Sequence, residues 1–383
     1  MDVNSLKSVY FIGAEGIGMS SLVRYFLSKG KKVCGYDRTP SELTAKLIEE
    51  GAQIGYEEAP ESIPSDFQNA ESTLIVYTAA MPEDHVLLQY FRNNGFTIYK
   101  RAQVLGMLTR SSKGLCAAGT HGKTTTSTMT AHLLHQSHVG CDAFLGGISK
   151  NYSTNLLLSD NSEYVVIEAD EFDRSFHWLT PYATIITATD ADHLDIYGTE
   201  EAYLESFSHY TSLIQPGGFL VMRHGINLQP RLQEGVKLYT YSTEAGDFHA
   251  ENIRIGGGEI FFDFVSPLGN ILDIQLGVPV AINIENGIAA MALAQLSGVT
   301  NDEIKAGMAS FQGIERRFDF KIKTDKVVYL SDYAHHPEEI KQSILSVRAL
   351  YQDKKLTAVF QPHLYTRTRD FYQEFADSLS LLD

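Results

Sequence analysis

The chain has few cysteines, a deficit of positive charge and no long hydrophobic run. Its three cysteines are widely spaced and form neither a metal-binding nor a disulfide pattern, which is typical of a reducing compartment. The 31 lysines and arginines are outnumbered by 47 aspartates and glutamates, giving a net charge of −16. That balance disfavours a nucleic-acid or anionic-membrane binder. Without a bilayer-spanning run or the apolar core of a signal peptide, the sequence predicts a cytoplasmic protein.

The length and the order of apolar runs predict an α/β protein of several domains. The 383 residues suffice for two or three domains, each with its own core. Residues 8–110 alternate predicted strands (9–12, 32–36, 74–77 and 96–99) with helical runs such as 19–28. This alternation indicates βαβ units and a parallel sheet. A second α/β unit is expected around strands at 164–168 and 184–187, with a small antiparallel insertion at 245–276 and a helix at 284–296.

A third α/β unit is predicted from residue 319. It would contain strands at 326–330 and 356–360 and a helix at 337–351. Two strands and two helices cannot bury both faces of a parallel sheet, so we expect a shortened C-terminal domain. The predicted domains are 1–107, 108–318 and 319–383.

Residues 117–126 carry the strongest functional signal. A small apolar run leads into a glycine turn containing Gly122-Lys123-Thr124, and a helical run follows. In this strand–turn–helix context, backbone N–H groups bind a polyphosphate, the lysine reaches its terminal phosphates, and the threonine hydroxyl holds Mg²⁺. The strict pattern has a glycine where this chain has Ala117, so the motif is a variant of the phosphate-binding loop.

A second glycine cluster spans residues 13–18, also between a strand and a helix. Gly13 and Gly18 fit the outer glycines of a dinucleotide fingerprint, and Asp37 fits its ribose-binding acid. Glu15 occupies the position where the backbone should approach a pyrophosphate closely. A tight turn that binds no ligand is the alternative.

Acidic and histidine-containing segments follow the predicted strands of the second unit. Glu168 directly follows a buried strand, so its charge needs a partner, whereas Glu171 and Asp173 are expected in a solvated loop. His193 lies in a second acidic segment, 190–195, and is either a cation ligand or a packed histidine.

The third unit has its own polar segments. Residues 332–337 contain a histidine pair, but no cysteine or further histidine lies nearby at ligand spacing, which argues against structural zinc. Arg316-Arg317 would form either a phosphate clamp or a solvated hinge.

Taken in order, these segments resemble the Mur ligases, ATP-dependent enzymes that build the peptide of bacterial cell-wall precursors. The resemblance extends along the whole chain and rests on residues 13–20, 101–102, 119–126, 168–171, 192–195, 311–318, 332–337 and 360–363. It implies a three-domain architecture: an N-terminal Rossmann-like domain for a UDP-sugar, a central P-loop ATPase domain, and a C-terminal Rossmann-like domain that closes over ATP. The glycine turn would then serve UDP, without hydride chemistry.

The resemblance also implies roles for individual residues. Lys123, His193 and Arg317 would be catalytic, and Thr124, Glu168 and His193 would bind Mg²⁺. The ATP site would comprise Gly119, Thr120, His121, Gly122, Lys123, Thr124, Thr125, Asn283, Asn286, Arg317 and Asp332. The UDP-sugar would be held by Gly13, Gly16, Gly18, Met19, Ser20 and Asp37, and the amino acid by Tyr333, His335, His363 and Arg367.

Several positions depart from the family pattern. Glu15 replaces a glycine, Ile282 replaces a histidine before Asn283, and Leu364 replaces an arginine after His363. No lysine occurs between Lys150 and Lys237, so the carbamylated lysine that many relatives use for a second Mg²⁺ looks absent. That absence is expected for the branch that adds L-alanine.

Within the family, the chain is most similar to the branch that joins L-alanine to UDP-N-acetylmuramate, acting as a monomer or weak homodimer. A murein-tripeptide recycling ligase is the nearest alternative, although residues 173–176 argue against it. An inactive nucleotide-binding fragment and a nicotinamide-dependent dehydrogenase are the others, the last disfavoured by Glu15 and the separate phosphate-binding loop.

Overall fold

The computed structural model describes residues 6–79, 81–362 and 365–383, with the backbone only at residues 195, 366 and 367. Across these ranges the chain forms three α/β units in sequence. The α/β fold class is thereby confirmed, and each unit is described in turn.

The first unit is a five-stranded parallel sheet with the strand order β3-β2-β1-β4-β5. Strands β1 and β4 are buried along their whole length, which accounts for their continuous apolar sequences. The elements are β1 (Ser8–Ile12), α1 (Ile17–Ser28), β2 (Lys32–Tyr36), α2 (Glu42–Glu49), β3 (Gln53–Gly55), β4 (Thr73–Tyr77), α3 (Val86–Asn93), β5 (Thr97–Lys100) and α4 (Arg101–Ser111).

The second unit is built on a seven-stranded sheet of order β12-β11-β10-β6-β9-β7-β8. All its strand pairs are parallel except β7 with β8. Its elements are β6 (Lys113–Ala118), α5 (Lys123–His135), β7 (Asp142–Ser149), β8 (Thr154–Leu157), β9 (Tyr164–Glu168), β10 (Ala183–Ile186), α6 (Leu194–Tyr197), α7 (Glu200–Thr211), β11 (Phe219–Arg223) and β12 (Lys237–Tyr241). A 3₁₀ segment, Phe172–Trp178, follows β9.

The predicted antiparallel insertion is confirmed. Strands β13 (His249–Gly256), β14 (Glu259–Val265) and β15 (Ile271–Gln275) form a three-stranded antiparallel sheet. Helix α8 (Ile282–Leu296) is almost entirely buried, and α9 (Asn301–Ser310) begins at a capping box formed by Thr300 and Glu303.

The third unit differs from its prediction. It contains an antiparallel pair, β16 (Asp319–Lys323) and β17 (Val328–Ser331), and helices α10 (Pro337–Leu350), α11 (Tyr365–Asp370) and α12 (Tyr372–Leu379). The predicted strand at 356–360 is wrong: these residues form no strand, and Val359 is fully exposed. An apolar β-prone run becomes a strand only where a neighbour accepts and donates its backbone hydrogen bonds. None of the described residues pairs with this run.

The first and second units share a hydrophobic core through α1. One buried cluster contains side chains of α1 together with side chains of β6, β7, β8 and β9. The rings of Tyr25 and Phe144 lie 5.4 Å apart across this contact. Polar bonds reinforce it: Arg24 Nη1 donates to Asn155 Oδ1 at 2.5 Å, and Asn155 Nδ2 donates to Ser20 Oγ at 2.9 Å.

The third unit is attached where the chain enters β16. The buried carboxylate of Asp319 accepts hydrogen bonds from Lys150 at 2.6 Å and Lys321 at 2.5 Å. Although burial acts to raise the pKa of Asp319, these hydrogen bonds lower it overall. Farther on, the ring of Tyr351 lies against Gly258 in the turn between β13 and β14.

A close backbone contact fixes the 3₁₀ segment to α4. Gly106 lies so near the carbonyl oxygen of Trp178 that a Cβ atom at this position would overlap with it. None of the described helices combines the length and apolar content that a bilayer-spanning helix requires.

Candidate functional site

The turn between β6 and α5 presents a row of free backbone N–H groups. Helix α5 begins at Lys123 without a side-chain cap, and Gly122 before it has φ 81°. Within the described ranges, the N–H groups of residues 121–125 have no backbone acceptor. Unpaired N–H groups at a helix N-terminus form an anion site.

The glycines of this turn are required by close packing. A Cβ atom on Gly119, where φ is 131°, would lie 2.7 Å from the backbone nitrogen of Ala188. A Cβ atom on Gly122 would lie 2.8 Å from Asn286 Oδ1. The side chain of Thr120 holds the turn to the next strand, because its hydroxyl donates to the carbonyl of Asp190 at 2.7 Å. Thr187 donates to the carbonyl of His121 from the same side.

Lys123 is directed toward a buried carboxylate. Its Nζ donates to the carbonyl of Gly119 and to Glu171 Oε1, both at 2.8 Å. The side chain of Glu171 is only 1% exposed, so the expectation that it lies in a solvated loop was wrong. Although burial acts to lower it, the pKa of Lys123 is raised because Glu171, Glu168 and Asp170 surround it with negative charge. Asp173, by contrast, is partly exposed and pairs with Lys100 at 2.6 Å.

The end of β9 brings further oxygen ligands to the turn. Glu168 lies beside Ala117 in the sheet register. Its Oε2 and that of Glu171 are buried without a hydrogen-bond partner among the described residues. A buried carboxylate oxygen without a donor is costly, and carboxylates together with a threonine hydroxyl are ligands that Mg²⁺ accepts. The residues at this edge therefore fit a magnesium ion.

His193 reaches the same region from the end of β10. Its ring lies 5.2 Å from that of Phe172, which follows Glu171. Its backbone, with φ 51°, is held by a hydrogen bond from its N–H to Asp192 Oδ1 at 2.7 Å. No cluster of three or more His, Cys, Asp or Glu with metal-binding geometry occurs in the described part of the chain. A cation here would need ligands from a bound nucleotide as well, as is usual for Mg²⁺.

Asn283 and Asn286, which are predicted to lie near the adenine of ATP, are at the start of α8 beside the turn at residues 119–125. Asn286 Oδ1 accepts from Thr126 Oγ1 at 3.2 Å, and Asn286 Nδ2 donates to Asn283 Oδ1 at 3.1 Å. Both asparagines are buried at the start of α8. The structure thus brings them to the turn, while adenine binding stays a prediction.

The glycine turn of the first unit is a second uncapped helix start. Helix α1 has no side-chain cap, and the N–H groups of Ile17 and Gly18 have no acceptor among the described residues. The side chains of Met19 and Ser20 are buried, and their N–H groups bond to the carbonyl of Gly16. Any ligand at this turn would therefore meet the backbone of residues 16–18.

Asp37 is already engaged in the structure. Its two carboxylate oxygens accept hydrogen bonds from the N–H groups of Glu15 at 2.6 Å and Arg38 at 2.7 Å. These bonds fix the glycine turn to the end of β2, and a contact with ribose stays a prediction.

The predicted residues of the third unit are not joined to the phosphate-binding turn. Asp332 accepts from the N–H of Phe318 at 3.1 Å, and His335 Nδ1 lies 2.9 Å from the carbonyl of Tyr333. Arg317 is exposed. Within the described ranges, no hydrogen bond, ion pair or ring contact links Arg317, Asp332, Tyr333 or His335 to residues 119–125. His363 and the side chain of Arg367 lie outside the described parts of the chain.

Three family models match consecutive parts of this chain. They are described as the Mur ligase family catalytic domain (residues 8–113), the Mur ligase middle domain (residues 117–294) and the Mur ligase glutamate ligase domain (residues 316–383). The chain belongs to the Mur ligase family. The matches cover the N-terminal, central and C-terminal domains of Mur ligases and confirm the three-domain architecture, while the individual domain limits stay predictions.

Curated relatives place the chain within one branch of the Mur ligases. It is 80% identical over 383 residues to the UDP-N-acetylmuramate–L-alanine ligase of Phocaeicola vulgatus, covering all of this chain and 84% of that protein. It is 64% identical to the ligase of the same name from Parabacteroides distasonis, covering all of this chain and 83% of that protein. These identities do not favour the tripeptide-ligase alternative.

Solved structures agree with this Mur ligase fold. The UDP-N-acetylmuramate–alanine ligase of Thermotoga maritima matches with a TM-score of 0.84 at 26% identity, over 98% of this chain and 84% of that one. A murein peptide ligase from Psychrobacter arcticus matches with a TM-score of 0.72 at 21% identity, over 98% and 83%. The second likeness concerns the fold alone.

Proposed function

We propose that this Mur ligase joins L-alanine to UDP-N-acetylmuramate at the expense of ATP, in the synthesis of peptidoglycan precursors. The observation that carries the proposal is 80% identity, over the whole chain, to a ligase of that name. The uncapped turn at residues 119–125, with Lys123 beside two buried carboxylates, supplies the matching polyphosphate site. We expect the reaction to take place in the cytoplasm, on a monomer or weak homodimer.

The proposed chemistry activates a carboxylate that would not otherwise acylate an amine. The γ-phosphoryl group of ATP passes to the lactyl carboxylate, giving an acyl phosphate and ADP. The amine of L-alanine then attacks the acyl carbon, an amide bond forms, and phosphate leaves with the loss of one proton from nitrogen. Lys123 and the N–H groups of residues 121–125 would neutralise charge that develops on the phosphates.

A magnesium ion is part of the proposal. Thr124, Glu168 and His193 would hold it, and when bound it would supply positive charge next to the phosphates. The unpartnered Oε2 of Glu168 is the observation that supports this role. On the nucleotide, Asn283 and Asn286 would lie near adenine, Asp332 near the ribose and Arg317 near the phosphates. Tyr333, His335, His363 and Arg367 would contact the amino acid.

The experiment is phosphate release from ATP with Mg²⁺, UDP-N-acetylmuramate and single amino acids added in turn. We expect release to require both the UDP-sugar and L-alanine. A requirement for the murein tripeptide in place of L-alanine would overturn the proposed substrate. Release that depends on neither acceptor would overturn the ligase activity.

The Lys123→Ala variant separates the two nucleotide sites. We expect it to lose turnover by about three orders of magnitude or more, because the phosphates lose their only lysine in the turn. UDP-N-acetylmuramate binding, measured by titration calorimetry, should be unchanged because the first unit is untouched. Loss of both properties would contradict the assignment of the two sites to different units.

A further inference from the structure

The guanidinium of Arg101 lies at the junction of the first two units without a hydrogen-bonding partner. Arg101 is the first residue of α4, and its Nε is buried with no acceptor. Among the described residues none forms a hydrogen bond or ion pair with it. The residue as a whole is half-buried, and a guanidinium with a buried Nε normally has a carboxylate or phosphate partner, because desolvation of an unpaired donor is costly. The function proposed above uses no property of this residue.

The nearest charges do not satisfy Arg101. The carboxylates of Asp170 and Glu168 act on it through space, without direct bonds. Burial lowers the pKa of Arg101 more than these two charges raise it. The neighbouring lysine is already occupied, since Lys100 Nζ pairs with Asp173 at 2.6 Å. Within the described ranges, Arg101 therefore has no counter-ion that bonds to it directly.

The position of the guanidinium indicates which anion it faces. It lies against Gly18, where a Cβ atom would overlap with the guanidinium carbon and lie 2.6 Å from Nη2. The free N–H groups of Ile17 and Gly18 belong to the same turn. The backbone donors of this turn and a guanidinium packed against it form a site for a group with two adjacent negative charges, such as a diphosphate.

Arg101, which packs against Gly18, lines a cavity of about 110 Å³. Arg101 lines it together with Thr78 and Ala79 from the end of β4 and with Asp170, Phe172 and Ser175 from the segment after β9. The cavity thus lies between the end of β4 in the first unit and the acidic segment after β9. A nucleotide-sugar with its diphosphate at Arg101 could extend its sugar along this cavity toward Asp170.

We propose that Arg101 is a substrate-binding residue whose guanidinium pairs with the diphosphate of the UDP-sugar, together with the N–H groups of Ile17 and Gly18. This inference rests on the proposed function in taking a UDP-sugar as the ligand. Gly18 is required in this arrangement because any side chain would displace the guanidinium from the turn.

The test compares Arg101→Met with Arg101→Lys and with the control Arg110→Met, an exposed arginine on the same helix. Titration calorimetry would measure the binding of UDP, uridine, UDP-N-acetylglucosamine and UDP-N-acetylmuramate. We expect Arg101→Met to weaken the binding of all three diphosphates by about tenfold or more, since a charge-assisted bidentate contact is lost. Uridine, which lacks phosphate, should bind to Arg101→Met as tightly as it binds to wild type. The Arg101→Lys variant should recover part of the lost affinity, and the Arg110→Met variant should bind the diphosphates with wild-type affinity.

A stability measurement excludes a merely structural role. Because the guanidinium is unpartnered in the ligand-free protein, Arg101→Met should melt at or above the wild-type temperature, and UDP should stabilise it less than it stabilises wild type. In turnover, KM for UDP-N-acetylmuramate should rise more than kcat falls. A lower melting temperature without ligand, with uridine binding reduced equally, would overturn the proposal.

Two further outcomes separate this proposal from the proposed function. Unchanged UDP binding with weaker UDP-N-acetylmuramate binding would assign Arg101 to the lactyl carboxylate and overturn the diphosphate assignment. Normal diphosphate binding by Arg101→Met in an active ligase would overturn the inference alone. Failure of the wild-type protein to bind UDP at all would overturn both.

Discussion

Glu171 is the side chain that holds Lys123, the lysine proposed to bind the phosphates, in place in the ligand-free protein. It accepts from Lys123 at 2.8 Å, its other oxygen is buried without a partner, and its carbonyl accepts from the hydroxyl of Tyr197 at 2.6 Å. Glu171 is thus fixed through both its backbone and its side chain. It holds Lys123 while the N–H groups of the turn remain free.

Removing the charge of Glu171 should destabilise the ligand-free protein. We expect Glu171→Gln to lower the free energy of unfolding by about 2 kcal/mol, because a largely buried ammonium loses the carboxylate that bonds to it and keeps only the more distant charges of Glu168 and Asp170. The measurement is urea unfolding at neutral pH, with Asp173→Asn at the more exposed pair as the control. Adding Lys123→Met should recover most of the loss, and equal losses in the single and double variants would contradict this pairing.

His132 should make stability fall in mild acid. Burial lowers its pKa from 6.5 to about 4, and its ring nitrogens lie 2.9 Å from Tyr152 Oη and 3.0 Å from Ser310 Oγ. As the pH falls below 6.5, the unfolded chain takes up a proton that the folded chain does not, so the free energy of unfolding decreases. Between pH 7 and pH 5 this amounts to about 2 kcal/mol.

The variant His132→Gln isolates this effect. At pH 7 its free energy of unfolding should be lower than that of wild type. Between pH 7 and pH 5 the variant should lose about 2 kcal/mol less of this free energy than wild type loses. Urea unfolding at both pH values measures the difference, with His209→Gln on the exposed face of α7 as the control. A parallel pH dependence in wild type and His132→Gln would show that His132 titrates normally.

At the residue scale, the sequence predicted a group of side chains that the structure brings near one turn, but it did not predict all of them. Lys123 was predicted from the Gly-Lys-Thr motif, and Glu168 and His193 because they follow strands at the edge where ligands of parallel sheets bind. Glu171 was missed because four acidic residues lie within residues 168–173, and composition does not reveal which one turns inward. The direction is set by the backbone after it, where Asp173 and Arg174 both have φ 53°.

At the scale of elements, the contact between α4 and the 3₁₀ segment leaves no room for a side chain at Gly106. A Cβ atom on Gly106 would overlap with the carbonyl oxygen of Trp178 and lie 3.0 Å from its carbonyl carbon. We expect Gly106→Ala to lower the free energy of unfolding by about 2 kcal/mol, since two backbone segments must separate. Thermal melting would measure it, with Gly256→Ala, which has open space around it, as the control. Equal melting temperatures for both variants would contradict the contact.

Whether an element could be predicted depended on how completely it is buried by its neighbours. Strands β1, β4 and β9 were predicted to within one residue at each end, because central strands of a parallel sheet need continuous apolar sequence. The run at 356–360 has the same composition but no partner strand among the described residues, and it remains irregular. Strand β16 was missed because it has no continuous apolar run: Lys321 and Lys323 alternate with apolar residues, and three of its five residues are exposed.

At the scale of the whole molecule, Asn155 joins two units that are far apart in sequence. Its amide accepts from Arg24 at 2.5 Å and donates to the carbonyl of Ile17 at 2.5 Å and to Ser20 Oγ at 2.9 Å. All three partners belong to α1, directly after the glycine turn. One side chain of the second unit therefore fixes the start of the helix that would face the UDP-sugar. A contact across more than 130 positions has no local sequence signature, so this docking could not have been predicted.

Replacing Asn155 should loosen the first unit. We expect Asn155→Ala to lower the free energy of unfolding by about 2 kcal/mol, because Arg24, which keeps its pair with Glu50, and the carbonyl of Ile17 each lose a hydrogen bond to a buried amide. It should also weaken UDP binding several-fold, since the α1 turn is no longer held. Urea unfolding and UDP titration would measure the two effects, with Asn93→Ala, exposed on α3, as the control. Weaker stability with unchanged UDP affinity would confine the role of Asn155 to packing.

The backbone contact at Trp178 also has an optical consequence. Trp178 is the only tryptophan of the chain, and its indole is half-exposed. It ends the segment in which Phe172 and Ser175 line the cavity beside Arg101, and its backbone lies against α4, the helix that begins with Arg101. When excitation is selective for tryptophan over the 20 tyrosines, the emission therefore comes from one indole, at the far end of the wall that a nucleotide-sugar would contact. Emission and its quenching by a small solute can be assigned to this junction without any label.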